Sequence, residues 1–202
     1  MMEPILQKEA RLLEAATSEF HEKGFHGARM QEIARRAGLN QSLLHYYYRT
    51  KGRLFEAVFQ AATGQVMVPV LEILGGDYPL REKVERFTHT YIDLILAHPH
   101  VPGFVMEELR RNPGRLRHFV GERSAGLYTR LERQIVAAVD AGDIRPIEPE
   151  QFLVHLLALC VFPFVARPMV QTLTGMDDAR YREFLLHRKQ TVVRFFFDAL
   201  AP

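Results

Sequence analysis

Among 202 residues the chain has a single cysteine, Cys160, so it has no second thiol to pair with. That excludes an intramolecular disulfide and fits a reducing cytoplasm. No run of about 18 or more uncharged apolar residues occurs, which argues against a membrane span. The longest candidate, FLVHLLALCVFPFVA from Phe152 to Ala166, is too short and is interrupted by His155 and Pro163. The first residues, MMEPILQKEARLLEA, carry acids and no cleavable apolar core, so a secretory signal is not expected. Sustained period-two alternation is missing, as are internal repeats and low-complexity tracts, and nothing demands a sheet.

Recognisable catalytic and ligand motifs are also missing. HEKGFH places His21 and His26 five residues apart with Gly24 between them, which spoils the helical spacing of a zinc-protease site. GERSAG around Ser124 lacks the G-x-S-x-G spacing of a nucleophile elbow, and TKGR lacks the preceding glycines of a phosphate loop. His98 and His100 flank Pro99 in a helix-breaking corner and read as loop residues. Cys160 sits in an apolar run and reads as packing. No metal, cofactor or catalytic residue is expected, and the chain does not read as an enzyme.

The charge is small, +2 overall, but unevenly placed. Between Arg29 and Arg53 lie Arg29, Arg35, Arg36, Arg49, Lys51 and Arg53, with Glu32 as the one acid. Such a segment is either a solvated cationic face or a local footprint for an anionic polymer.

Apolar spacing predicts helix almost throughout. The expected helices are about Ile5–Lys23, stopped by Gly24 in the left-handed conformation; Met30–Ala37; Asn40–Tyr48, with Asn40 as cap; and a fourth capped by Thr50 that turns Leu54, Phe55, Val58 and Phe59 inward. Longer ones follow at about Leu80–Ala97, Val101–Arg111, Pro113–Ala141, Pro149–Leu173 and Asp177–Ala199, separated by HPHVP, RNPG, AGDIRPIEP and TGMDD. The fold class is all-α, with a short-helix unit over residues 1–50 and a long-helix bundle over 51–202.

Two short helices joined by RRAGLN have the layout of a helix-turn-helix, whose second helix enters the DNA major groove. Gly38, Leu39 and Asn40 supply the turn, anchor and cap. At about 100° per residue, Gln41, Ser42, His45 and Tyr46 share one half of the third helix, while Leu43, Leu44, Tyr47 and Tyr48 share the other. The polar half suits base edges and phosphates, and the opposite half reads as a core face. Leu43, near the boundary, suits either a thymine methyl or the core.

The stretch from Arg11 to Phe59, with MQEIARRAG, LLHYYY and TK followed by LFEAVF, resembles the DNA-binding domain of the TetR family of transcriptional regulators. By position, the resemblance implies DNA contacts from Gln41, Ser42, Leu43, His45 and Tyr46, and a phosphate contact from Lys51. Family members usually carry Ser or Thr where this chain has Ala28 and Arg29, so a hydroxyl cap is missing. Arg29 either replaces that contact with a charged one or is a solvated loop arginine. Gly52 stands where a better helix former is common, and Tyr48 replaces a usual Phe.

The resemblance further implies that the long helices form a ligand-binding and dimerisation domain. The candidate pocket residues are Phe87, Tyr91, Phe104, Met106, Tyr128 and His155, each of which also reads as plain core. The last two long helices would build a homodimer interface, with Phe152, Leu156, Leu159, Phe164, Val193 and Phe197 as candidates. The expected partners are a double-stranded, palindromic DNA operator, a second copy of the chain and an apolar or aromatic small-molecule effector; no membrane is expected. The resulting expectation is a cytoplasmic, ligand-responsive repressor. The alternative is a helical sensor or adaptor without sequence-specific DNA binding, supported by the missing hydroxyl at Ala28 and Arg29.

Overall fold

A computed structural model describes residues 5–99, 101–112, 114, 121 and 126–202. Ten helices run through them: α1 Ile5–Gly27, α2 Met30–Arg36, α3 Gln41–Tyr47, α4 Lys51–Gly75, α5 Leu80–Ala97, α6 Val101–Arg111, α7 Leu127–Asp140, α8 Pro149–Val165, α9 Arg167–Thr174 and α10 Asp178–Leu200. No strand occurs among the described residues. The chain divides into two compact units, Met1–Gly64 and Gln65–Pro202. The expected boundary at 50/51 is where α4 begins; the compact units divide later, within that helix.

Several local rules operate as expected. Asn40 accepts from the Leu43 N–H at 2.7 Å to start α3, and Thr50 Oγ1 accepts from the Arg53 N–H at 3.2 Å to start α4. Gly38 has φ +66, a conformation that strains any residue with a side chain; the Arg11 guanidinium, 2.6 Å from where its Cβ would stand, would also have to shift. Arg11 itself donates to the Ala37 carbonyl and ties α1 to the end of α2.

Three expected helices differ. Gly24 has φ 65 and ψ 176, which is a kink and not a left-handed stop; one more helical turn carries α1 to Gly27. The single helix expected over Pro149–Leu173 is two, α8 and α9, bent by 76°. Pro168 is responsible, since its ring and missing N–H forbid continuation through the preceding turn. Of the helix expected over Pro113–Ala141, α7 begins only at Leu127; Pro113 and residues 115–120 and 122–125, Ser124 included, lie outside the described residues, as does His100.

α4 is long and apolar enough to suit a membrane span, but its apolar residues are used in both cores. Leu54, Phe55, Val58 and Phe59 are buried in the first unit, and Val66, Val70 and Leu74 in the second. The end of α4 is held by distant donors. Lys83, fully buried on α5, donates to the Leu74 carbonyl at 2.8 Å and to Gln134 Oε1 at 2.5 Å, and Arg130 on α7 donates to the Gly75 carbonyl. Burial lowers the Lys83 pKa, as expected for an ammonium held by neutral acceptors.

Prolines inside helices are compensated in the same way. Pro163 in α8 has no N–H for the Leu159 carbonyl four residues earlier. Arg188 on α10 reaches across and donates to that carbonyl at 2.6 Å. The buried Tyr181 hydroxyl, also from α10, donates to the Pro163 carbonyl at 2.6 Å.

Candidate nucleic-acid interface and effector cavity

In the first unit, α1, α2 and the start of α4 support α3 from beneath. Leu12, Ala16, Phe20, Ile33, Ala34, Leu44, Leu54 and Phe55 are buried, with the Phe20 and Phe55 rings edge to face at 5.0 Å. Leu44 and Tyr48 are the inward residues of the third-helix segment, and the Tyr48 hydroxyl donates to Glu9 Oε1 at 3.0 Å. Burial, then that carboxylate, raises the Tyr48 pKa. Leu43 and Tyr47 are half-buried.

The opposite face is open. Gln41, Ser42, His45 and Tyr46 are all exposed, Tyr46 at 80%. Gln41 Nε2 and His45 Nε2 are 3.4 Å apart, one helical turn on, so the two side chains act as neighbours. The Tyr46 ring stands edge to face with that of Tyr47 at 5.7 Å, its hydroxyl end open to solvent.

The cationic segment is sorted by its own Glu32 and by an acid on α1. Arg36 pairs with Glu22 at 2.7 Å and Glu32 at 3.4 Å, and Arg35 pairs with Glu32 at 2.6 Å. The hydrogen bond from Arg36, then that from Ser18, pulls the Glu22 pKa down to about 2, and the hydrogen bond from Arg35 does the same for Glu32. Lys51 donates to the carbonyls of His26 at 3.3 Å and Ala28 at 3.1 Å and stands over the Phe25 ring at 4.9 Å. Its expected phosphate contact therefore shares the ammonium with a structural duty. Arg29, Arg49 and Arg53 are exposed and make no ion pair among the described residues.

The missing hydroxyl cap is answered by Glu19, a residue that sequence reasoning does not single out. Arg29, at the N-cap of α2, makes no side-chain cap bond, but its backbone N–H donates to Glu19 Oε1 at 3.4 Å. Glu19 is fully buried, with Lys23 at 3.0 Å; the Arg36 guanidinium lies 3.2 Å from Oε2 but not in hydrogen-bond alignment. A carboxylate at a helix N-terminus is favoured by the exposed N–H groups and the helix dipole. Its sequence signal is faint: an acid at an otherwise inward position of α1, between Ala16 and Phe20.

The second unit holds a cavity of about 400 Å³. α4 supplies Val70 and Leu74, α5 Phe87 and Tyr91, α6 Met106 and Leu109, α7 Leu127 and Tyr128, and α8 Leu153, Leu157 and Val161. Four expected pocket residues, Phe87, Tyr91, Met106 and Tyr128, thus line one cavity. Phe104 and His155 do not. On α6 the cavity is lined by positions 101, 102, 105, 106 and 109, and Phe104 is not among them. On α8 the positions 153, 157 and 161 line the cavity, and His155 lies on the far side. Cys160 is buried beside Thr88, its Sγ 3.7 Å from Oγ1, and burial pushes its pKa up to about 11. That is an unreactive thiol.

His155 belongs instead to an apolar groove of about 310 Å³ formed mainly by α8 and α10, with Ala158, Leu159, Phe195, Phe196 and Ala199. Here the expected interface set is corrected. Phe152, Leu156 and Val193 are buried in the protomer's own core, Phe152 edge to face with Phe196 at 4.8 Å. Residues 152, 156, 160 and 163 form the inward stripe of α8, so they have little or no surface left to offer. Phe164 is half-buried against Tyr91, and Phe197 is half-buried under the Arg81 guanidinium. Leu159 remains half-exposed. The exposed apolar residues on these two helices are Val154, Leu157, Phe162, Val165, Leu186 and Phe195.

Known proteins agree with both units. The profile described as "Bacterial regulatory proteins, tetR family" matches residues 12–58, and "Tetracyclin repressor-like, C-terminal domain" matches 81–195. The chain is 25% identical to the HTH-type transcriptional regulator RutR of Escherichia coli K12, over 96% of its own length and 91% of the relative's. It is 28% identical to the HTH-type transcriptional repressor SCO4008 of Streptomyces coelicolor, over 84% and 85%. The crystal structure of the regulator FadR from Bacillus subtilis in complex with stearoyl-CoA shares the fold, with a TM-score of 0.65 at 17% identity over 95% of this chain and 98% of that one.

Proposed function

This chain belongs to the TetR family of bacterial regulatory proteins, and on that premise we propose that it is a cytoplasmic, homodimeric, ligand-responsive repressor. α3 reads a palindromic operator, and a mainly apolar or aromatic small molecule in the 400 Å³ cavity releases it. The observation that carries this reading is the pairing of two features on one chain. One is an exposed polar face, Gln41, Ser42, His45 and Tyr46, on a short helix whose opposite face is buried in the core of its unit. The other is an apolar cavity that α4 helps to line.

Dimerisation is supported by the exposed rings of Phe162 and Phe195 and by the groove between α8 and α10. An isologous contact there would present two α3 helices to successive major grooves, which is why the operator is expected to be palindromic. Repression as the sign draws on SCO4008, which is named a repressor. Ligand release follows if the effector favours the arrangement of α4 that DNA does not. The adaptor alternative rests on the missing hydroxyl at Ala28 and Arg29; the Glu19 carboxylate accepts from the Arg29 N–H at that helix end but supplies no phosphate contact, so equal affinity for the two duplexes in the titration below would favour it.

The test is fluorescence-anisotropy titration of the purified chain with the DNA upstream of its own gene and with shuffled duplex, both at 150 mM salt. Specific binding should exceed non-specific binding by at least roughly 10³-fold. Equal affinity for the two duplexes would refute the reading.

A further inference from the structure

Two phenol hydroxyls stand at the 400 Å³ cavity without settled partners, in a lining otherwise made of hydrocarbon. Tyr91 is more than nine-tenths buried, its ring stacked on Phe87 at 5.9 Å and edge-on to Phe164 at 6.0 Å. No hydrogen bond to its hydroxyl forms among the described residues, and burial raises its pKa. The Tyr128 hydroxyl is shut off from water and has no partner in hydrogen-bond geometry. The nearby Glu150 carboxylate, placed as an imperfectly aligned acceptor, pushes the Tyr128 pKa up to about 12. Both phenols are therefore protonated at neutral pH and available as donors.

The Tyr128 hydroxyl is shielded from water, whereas the Tyr91 hydroxyl is not; for either one, facing an apolar lining without a protein partner is unfavourable, and an acceptor on a molecule inside the cavity would relieve it. A charged group would meet the opposite situation. None of the described lining residues carries a charge, and Glu150, beside Tyr128, is exposed and outside the lining, so a carboxylate or ammonium would lose its water without gaining a counter-ion inside the cavity. The volume sets the size. At interior packing density, about 0.74, the cavity admits on the order of fifteen non-hydrogen atoms.

Resting on the reading of this cavity as the effector site, we propose that the effector is electrically neutral and mainly apolar, with a carbonyl- or ether-type oxygen that accepts from the Tyr91 hydroxyl, Tyr128 being the second donor. The apolar body supplies affinity, and the phenols select for the oxygen. A hydrocarbon of the same length is admitted but less well held. A fatty carboxylate or an alkylammonium is refused.

Four nine-carbon probes test this by calorimetric titration of the full chain at pH 7.5: 2-nonanone, 1-nonene, nonanoate and nonylammonium. The ketone should bind roughly five- to ten-fold tighter than the alkene, the yield of one satisfied hydrogen bond. It should also bind at least ten-fold tighter than either ion. Tyr91→Phe should bring the ketone down to the level of the alkene and leave alkene binding unchanged, which also shows that the variant is folded. Tyr128→Phe should act in the same direction. Nonanoate or nonylammonium binding as tightly as the ketone, a ketone preference that survives Tyr91→Phe, or no binding by any probe would each overturn the proposal. Operator titration with each probe separates the two readings. A ketone that binds as described yet leaves operator affinity unchanged sinks the effector reading alone. Nonanoate that binds best and releases DNA sinks the ligand chemistry alone.

Discussion

Arg188 should be indispensable only because Pro163 is there. The Leu159 carbonyl loses its helical donor to the proline and takes the Arg188 guanidinium instead, at 2.6 Å. Arg188→Met keeps most of the apolar stem and removes the donor. An orphaned, shielded carbonyl costs about 1–3 kcal/mol. The lost contact of the guanidinium with the Phe184 ring, at 5.5 Å, adds roughly 0.5–1 kcal/mol. Against this, a charge whose burial already lowers its pKa no longer has to be desolvated. The net expectation is a loss of about 2 kcal/mol. In a Pro163→Ala background the new N–H at position 163 can serve the Leu159 carbonyl, and the same Arg188→Met change should cost only about 0.5 kcal/mol. Tyr181 keeps its acceptor in both backgrounds, because residue 163 retains a carbonyl. The double-mutant cycle therefore predicts a coupling of about 1–2 kcal/mol. The assay is urea unfolding by far-UV circular dichroism at one fixed protein concentration, with the slope checked for constancy. A coupling below about 0.3 kcal/mol would show that Arg188 does not stand in for the missing helical N–H.

The Arg35–Arg36 network should make the chain acid-sensitive in a defined window. Glu22 and Glu32 have folded pKa values lowered to about 2 from 4.5, so their contribution is present above about 4.5 and is lost as pH falls toward 2. Urea midpoints of wild type and Arg36→Met should differ at pH 6 and the gap should shrink severalfold by pH 2.5; a gap that stays constant would refute this assignment. Lys51 and Arg53 should separate two duties that are indistinguishable in the sequence. Lys51→Ala removes two carbonyl contacts and the Phe25 contact, and should lower stability by about 1–2 kcal/mol as well as weaken DNA binding. Arg53→Ala should leave the urea midpoint unchanged and reduce the salt slope of DNA binding by about one. Equal midpoints for the two variants would remove the structural role of Lys51.

Within the first unit the elements were legible because each rests on a local rule. Asn40 and Thr50 cap the helices that follow them, Gly38 turns the chain, and angular sorting divides Gln41, Ser42, His45 and Tyr46 from Leu44 and Tyr48. Charge was not legible in the same way. Counting along the segment from Arg29 to Arg53 found one acid, yet Glu19 and Glu22 reach that segment from α1 and occupy Arg36. A count restricted to one stretch treats as free the cations that a neighbouring helix has already neutralised. What remains without an acid among the described residues is a smaller set, Arg29, Arg49, Lys51 and Arg53, of which Lys51 is shared with backbone carbonyls, and it is the set from which nonspecific DNA affinity is expected.

The second unit shows why an apolar helix announces burial without saying against what. α10 carries Phe195, Phe196 and Phe197 in succession, and three consecutive rings must point in three directions. Phe196 enters the core against Phe152, Phe197 lies under Arg81, and Phe195 is 61% exposed. The same holds for α8, where Phe152 and Leu156 face inward while Leu157 borders the cavity and Phe162 faces out. Periodicity identifies the stripes but does not assign them, because the inward stripe, the cavity stripe and the exposed stripe are equally apolar. Their assignment depends on which neighbour each stripe meets, and that is decided by bends such as the one Pro168 imposes between α8 and α9. A candidate ligand residue or interface residue chosen for its ring alone therefore falls on the wrong stripe about as readily as on the right one. His155 stands in the groove between α8 and α10 and Phe152 in the core, while Tyr91 and Tyr128 stand on the stripes that α5 and α7 turn toward the cavity.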